Sequence, residues 1–492
     1  MRPARFRFNP RGTRFLIYQQ PRSVRGFDEP AVVHVDSRPG TIRPGPEDSR
    51  IRVIDAEGRT PFQWKLPYTD GVTANPRWRP PYPPRGPRRP PVRPRRGHFD
   101  HLSIGSRDFW AANAFATVRC VLEIWEHYLG RRIVWFFANG EHQHLEIIPR
   151  TDSDNAWSGE GFLELGYRRP PRRRGRAQPP DWLCESFDII AHETGHLILK
   201  SVIGNPTSAK KTLEYRAHEE GAADLVALVA CLHFDAVVDR VLDNTQGRLF
   251  SRNMLTRLGE KGRRTQIRTA FNAETLRSKS MREAEETYDQ HALSKPFTGG
   301  AFDVFVEIYE RYLVEHGAVP SPMARKSQSA VAAALDRASP RATHARFERL
   351  RREFTTHFAA RREAFRAALL DARDDFARLL ARTWSITSFR DFPGRDWPLG
   401  RTRRPFSGVV ANMIAADRAL GGRYGAIIRR AFLQRGISSA PRRRGRGEAS
   451  STRTCPGTER RPTRAAGTRG ARRRAERGRG ARPRRPRWAP AR

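Results

Sequence analysis

Apolar residues between positions 109 and 129 recur every three or four residues, at Ala112, Phe115, Val118, Leu122, Trp125 and Leu129, and the rhythm stops at Gly130. That is the period of one face of an α-helix, ended by a glycine where a left-handed cap belongs. The rhythm then changes. Residues 133–137, 145–148 and 162–165 are short apolar or alternating runs between turn-forming residues, which predicts three strands of an antiparallel sheet. Helical spacing returns at residue 187, where Phe187, Ile189, Ile190, Leu197, Ile198 and Leu199 surround most of a helix and predict that it is buried. Farther on, residues 225–234 are strongly apolar and residues 301–312 amphipathic. Phe347, Leu350, Phe354, Phe358, Phe365, Leu369, Phe376 and Leu380 mark one face of a long Arg-rich helical stretch or hairpin, and residues 424–437 predict a last short helix. The pattern gives an α+β chain, a small antiparallel sheet with helices followed by a mainly helical C-terminal region.

Proline, glycine and arginine divide this pattern into five expected segments. Residues 1–75 hold short β-like runs such as 31–35 and 51–54 and predict a β-rich or partly ordered leader. Residues 76–97 form a Pro/Arg-rich linker that can be neither helix nor central strand. Residues 98–315 carry the sheet and the buried helix, residues 316–436 the helical region, and residues 437–492 an Arg-rich, low-complexity tail expected to be disordered.

The formal net charge of +40 raises nucleic acid as a partner, yet much of the excess sits in the linker and tail rather than on a folded face. The arginines of the long helical stretch read as a solvated outer face. The 4 cysteines, Cys120, Cys184, Cys231 and Cys455, lack metal-type spacing and fit a reducing compartment. No run of about 18 apolar residues or secretory signal is recognised, so a cytoplasmic protein with no transmembrane segment is the expectation.

Within the buried helix stands His192-Glu193-Thr194-Gly195-His196. Residues four apart share a helix face, so His192 and His196 can put two imidazoles on one metal ion, with Glu193 beside an open position where water is activated. Burying two histidines and a glutamate without partners is costly, and metal coordination relieves that cost. A third ligand has to come from elsewhere. Glu220-Gly221-Ala222-Ala223-Asp224 offers carboxylates at i and i+4, with small residues between that permit close helix approach. Glu220 is the preferred ligand and Asp224 the acceptor of a histidine's free N–H. Glu219, and behind it His218, compete for the ligand position. His142 and His144 alternate on an expected strand with no further ligand at useful spacing, and His98 and His101 read as structural or solvated.

The run Asp188-Ile189-Ile190-Ala191-His192-Glu193-Thr194-Gly195-His196, followed by Glu220-x-x-x-Asp224, resembles the active-site signature of the thermolysin-like gluzincin metallopeptidases. Asp154-Asn155-Ala156-Trp157-Ser158-Gly159 is similar to that family's substrate-holding edge strand. His291-Ala292-Leu293-Ser294, before a helix start expected at Gly299-Gly300, is similar to the segment whose histidine stabilises the transition state. The resemblance spans roughly residues 109–312.

This resemblance implies a zincin-like catalytic domain over residues 98–315, with one zinc ion (Zn2+) on His192, His196 and Glu220. It implies Glu193 as general base and His291 as donor to the oxyanion, held by Glu286 or Asp289, with Asp188 and Asp224 in supporting contacts. Asn155, Ala156 and Trp157 would align a peptide or protein substrate as an added strand. The family's acidic calcium loops are not evident, and the basic loop at 168–180 occupies part of that region. The family's tyrosine has no match at its spacing, although Tyr215 or Tyr288 could serve, and its substrate-carbonyl arginine has no counterpart here. Zinc-dependent peptide hydrolysis is the expected activity. The alternatives are a catalytically silent zincin-fold binding protein, or a nucleic-acid-binding protein using the basic tail, with an incidental zinc domain. Binding that falls steeply with salt and survives loss of zinc marks the last.

Overall fold

A computed structural model describes residues 4–22, 24–55, 89–138, 142–169, 180–207, 210–260, 266–335, 340–392 and 405–439. Most of the Pro/Arg linker, the core of the basic loop at 168–180 and nearly all of the Arg-rich tail lie outside these residues. The described chain is mixed α+β, with small sheets and a helical C-terminal region.

Strands β1 (Thr13–Ile17) and β2 (Ala31–Val35) form an antiparallel hairpin. Thr13, Phe15 and Ile17 alternate inward, as period-two patterning requires, and Phe15 stacks on Phe99 and Phe115. Strand β3 (Ile51–Val53) precedes helix α1 (Arg107–Leu129). The Ser106 side chain accepts from the Phe109 N–H at the start of α1, and Gly130 closes the helix at φ 65°, a left-handed value that suits glycine.

The sheet beside α1 is mixed, which corrects the antiparallel expectation. Its order is β3, β4 (Leu145–Ile148), β6 (Phe162–Leu165), β5 (Ala156–Gly159). β4 runs parallel to both β3 and β6, and only β5 is antiparallel. Strands β4 and β6 are buried at every position, as expected of strands covered on both faces. Parallel pairing with β3 is set by a distant segment, so local spacing carried no trace of it. Residues 133–137 alternate as a strand would but have no strand partner among the described residues. The Trp135 Nε1 donates to Arg50 O at 3.3 Å and the Phe136 N–H to Ser201 Oγ at 3.1 Å. His142 and His144 also stand outside the strands.

A short ladder of β7 (Tyr167–Arg168) and β8 (Asp181–Trp182) leads into α2 (Phe187–Ile203). Helix α3 (Leu213–Cys231) is capped by Thr212, whose hydroxyl accepts from the Tyr215 N–H. The two helices touch where a Cβ on Gly195 would meet Ala223 Cα at 2.9 Å, so only glycine allows this approach. The small residues of α3 serve two neighbours. Ala223 faces α2, while Gly221 faces Phe297 and Thr298 of a later helix.

After α4 (Asp235–Thr245) come the hairpin β9 (Arg257–Glu260) and β10 (Gln266–Thr269) and helix α5 (Lys279–Glu286). Helix α6 (Gln290–Glu315) is buried on nearly every side from Leu293 to Leu313, although residues 301–312 predict only one apolar face. It begins at Gln290, capped by the Asp289 side chain, which accepts from the His291 and Ala292 N–H groups. The helix start expected at Gly299-Gly300 is thus corrected. Those glycines lie inside α6, where they give room to Arg435 and Phe432.

Helix α7 (Ser321–Leu335) is followed by α8 (Pro340–Ser385), in which non-helical Arg361 marks a kink between two helices. Part of the arginine face is paired: Arg362 and Arg366 meet Asp235, Asp239 and Asp243 of α4. Helices α9 (Ser407–Ala419) and α10 (Gly425–Gln434) close the fold, and buried Arg435 bonds to Asp303 on α6 at 2.8 Å. No helix among the described residues is long and apolar enough to cross a membrane. Cys120, Cys184 and Cys231 are buried free thiols, and Cys455 lies outside the described residues.

Candidate metal centre

The site is built where α2 crosses α3. His192 and His196 share the inward face of α2, and their Nε2 atoms are 3.1 Å apart. Each ring is held from behind by a carboxylate of α3. His192 Nδ1 lies 2.9 Å from Asp224 Oδ1, and His196 Nδ1 lies 2.9 Å from Glu219 Oε1. A carboxylate accepts, so each Nδ1 carries the proton and each Nε2 presents a lone pair. Glu220 Oε2 approaches the same point, 3.5 Å from His192 Nε2 and 3.9 Å from His196 Nε2.

Two imidazole lone pairs 3.1 Å apart beside a carboxylate oxygen repel one another unless a cation lies between them. With Zn–N bonds of about 2.0–2.1 Å, two nitrogens on a tetrahedral ion stand about 3.3 Å apart, so the donor set fits such an ion. His192, Glu193 and His196 also form a buried group whose ligand atoms lie within 4.8 Å of one another and that could hold a metal ion. Two triplets therefore share the histidines, one completed by Glu193 and one by Glu220. Glu193 is engaged elsewhere: its Oε2 accepts from Ser158 Oγ at 2.9 Å. Glu220 comes from the facing helix, and its Oε2 is turned to the two Nε2 atoms while Gln290 holds its Oε1.

Glu219 is the electrostatic hub behind His196. Burial alone would raise its carboxyl, but Lys200 at 3.0 Å, the His196 hydrogen bond and Lys211 at 3.4 Å outweigh burial and hold it well below the ordinary carboxylate range. Burial in turn lowers Lys211, opposed by Glu219. Glu219 therefore orients His196 and does not compete with Glu220 for the ligand position. His218 packs against Phe297 and Phe392, and burial pushes it down to about 3, so it stays neutral and outside the cleft.

The centre opens into a cleft of about 760 Å3. Strand β5 is the edge of its sheet and borders the cleft with Asn155, Ala156, Trp157 and Ser158. Ser158 points to Glu193, while the Trp157 ring packs with Ile148 and Phe162. Asp188, at the first turn of α2, accepts from Ser186 Oγ at 2.5 Å and from the Ile189 N–H at 2.9 Å.

On the α6 side, His291 is half exposed, with Nε2 at 3.3 Å from Glu220 Oε1 and Nδ1 at 3.7 Å from Asp289 Oδ1. Of the two acids expected to hold it, Asp289 is the one beside it, while Glu286 is exposed at the end of α5. Gln290 Nε2 donates to Glu220 Oε1 at 2.9 Å. Tyr215 is buried with its hydroxyl on Gly204 O, and Tyr288 is 72% exposed in the turn before α6.

Sequence reasoning brought together the two histidines, Glu193, Glu220, Asp224, the β5 residues and His291. It did not single out Ser158, Gln290, Lys200 or Lys211. Ser158 could have been found from alternation, because it shares a strand face with Ala156. The contacts of Gln290 and the lysines depend on how helices cross and leave no local signal. No family model matches the chain, and no curated protein matches it.

Proposed function

We propose that the chain is a zinc-dependent hydrolase of peptide bonds with a zincin-like arrangement, its ion held by His192, His196 and Glu220. One observation carries this reading: both imidazoles turn Nε2 to a common point while Asp224 and Glu219 fix the opposite nitrogens. When bound, zinc would polarise a carbonyl and lower the pKa of a water towards about 7.

The remaining roles belong to the chain's own side chains. Glu193, on the ligand helix α2 and steadied by Ser158, is the base that takes the water's proton and returns it to the leaving amine. His291, at the rim beside Glu220, offers an N–H to the developing oxyanion. The exposed edge of β5 gives an extended peptide a strand to pair with, and Asn155 and Ala156 border that edge.

Purified zinc-loaded protein should cleave members of a mixed peptide library. Glu193→Gln should keep its zinc and lose turnover. Undiminished turnover by Glu193→Gln would refute this mechanism.

A further inference from the structure

Around the centre Asp224, Glu193, Glu220 and Asp188 each have a neutral hydrogen-bond partner, His192, Ser158, Gln290 and Ser186, and keep their negative charge. The bases share one carboxylate or, among the described residues, have none. Lys200 and Lys211 both reach the single carboxylate of Glu219. Arg216, one turn before Glu220 on the same face of α3, lines the same cleft and has no ion-pair partner among the described residues. Lys295, one turn after His291 on α6, lines the cleft and is likewise unpaired.

Lys200 and Lys211 thus share the one carboxylate of Glu219, and Arg216, three residues before it on α3, adds a third positive side chain to the wall of the cleft. Like charges repel strongly where water is partly excluded, and a bound anion relieves that repulsion. Arginine beside lysine suits a carboxylate in particular, because the guanidinium fork matches its two oxygens.

We infer that Lys200, Lys211 and Arg216 form a carboxylate-binding subsite, and that the cleft selects peptides presenting a carboxylate close to the bond at the metal centre. This rests on the peptide-hydrolase reading for its substrate class. The carboxylate has two possible sources, a free C-terminus or an Asp or Glu side chain.

The test is equilibrium binding to the full chain carrying Glu193→Gln, loaded with zinc, at about 0.15 M ionic strength, where long-range attraction is screened. Fluorescent peptides of one sequence would carry a C-terminal carboxylate or amide, and Glu or Gln at one internal position. The carboxylate forms should bind about tenfold tighter than their neutral counterparts. Whichever arm shows the preference assigns its source. Adding Arg216→Gln should erase the preference and leave affinity for the fully neutral peptide unchanged, and Arg216→Lys should restore part of it. Arg216→Met provides the same reading should Arg216→Gln fail to fold.

Equal affinity for all peptides would overturn the inference. So would a preference that survives both substitutions, as binding to arginines elsewhere in the chain would. Affinity is read in a protein that need not turn over, so a wild type that cleaves no peptide would overturn the hydrolase reading by a separate result.

Discussion

Removal of the Asp224 carboxylate probes how the two-helix crossing prepares the centre. Asp224 is 1% exposed, and its Oδ1 holds His192 Nδ1 at 2.9 Å. In Asp224→Ala the imidazole loses the acceptor that fixes its tautomer, and a buried N–H loses its partner at a cost of about 1–3 kcal/mol. Loss of such an orienting group weakens metal binding by about 10- to 100-fold, or about 1.4–2.7 kcal/mol. Asp224→Asn keeps an oxygen at the same place without its charge, and should fall at the lower end of that range. Affinity would be read by competition with a chromogenic zinc chelator at neutral pH, with thermal melting alongside. Glu286→Gln, on the exposed end of α5, is the control and should bind as wild type. A folded Asp224→Ala protein that binds zinc within about twofold of wild type would refute the orienting role.

Further outcomes follow from other contacts. Gly195→Ala places a Cβ 2.9 Å from Ala223 Cα and 3.1 Å from Val226 Cβ, so α2 and α3 must part. It should cost about 1–3 kcal/mol in denaturant unfolding and weaken zinc binding; an unchanged midpoint would contradict the close crossing. Ser158→Ala removes the hydrogen bond to Glu193 and should lower kcat/KM about tenfold with zinc content unchanged, whereas unaltered kinetics would remove Ser158 from the site. Burial pushes Glu310 up to about 8 from an ordinary 4.5, so the folded chain keeps a proton that the unfolded chain releases. Its contribution to stability is complete below the unfolded value and is lost as pH rises through about 8. Glu310→Gln should therefore melt with a weaker pH dependence than wild type between about pH 5 and pH 9, and parallel curves would show that Glu310 does not titrate in this way.

What the sequence disclosed and what it hid divide along a physical line. Helix α1, its Gly130 cap and the pairing of His192 with His196 follow from spacing within one element, so they are legible without a fold. Asp224 was legible too, because it lies one turn from Glu220 on the same helix face and so reaches the other nitrogen of the same histidine. Glu219 was harder. Adjacent acids on a helix differ by about 100° in direction, and which one met the ion and which met His196 depended on the crossing of α2 and α3.

The mixed sheet was hidden for a similar reason. The alternation of residues 133–137 is real, but no strand among the described residues lies beside them, whereas β4 pairs with β3 from far earlier in the chain. Arginines on α8 read as solvated because their aspartate partners stand on α4, more than a hundred residues away. Gly299 and Gly300 look like a helix start in sequence, yet they give room to Arg435 and Phe432 in the middle of α6.

Zinc content measured by mass spectrometry of the metal, on wild type beside His192→Ala and Glu220→Gln, bears most directly on the centre itself. The arrangement of His192, His196 and Glu220 predicts one tightly held zinc per wild-type chain, near-complete loss in His192→Ala and strong depletion in Glu220→Gln. Wild-type protein that takes up no zinc, or a Glu220→Gln protein that holds it as firmly as wild type, would contradict the account.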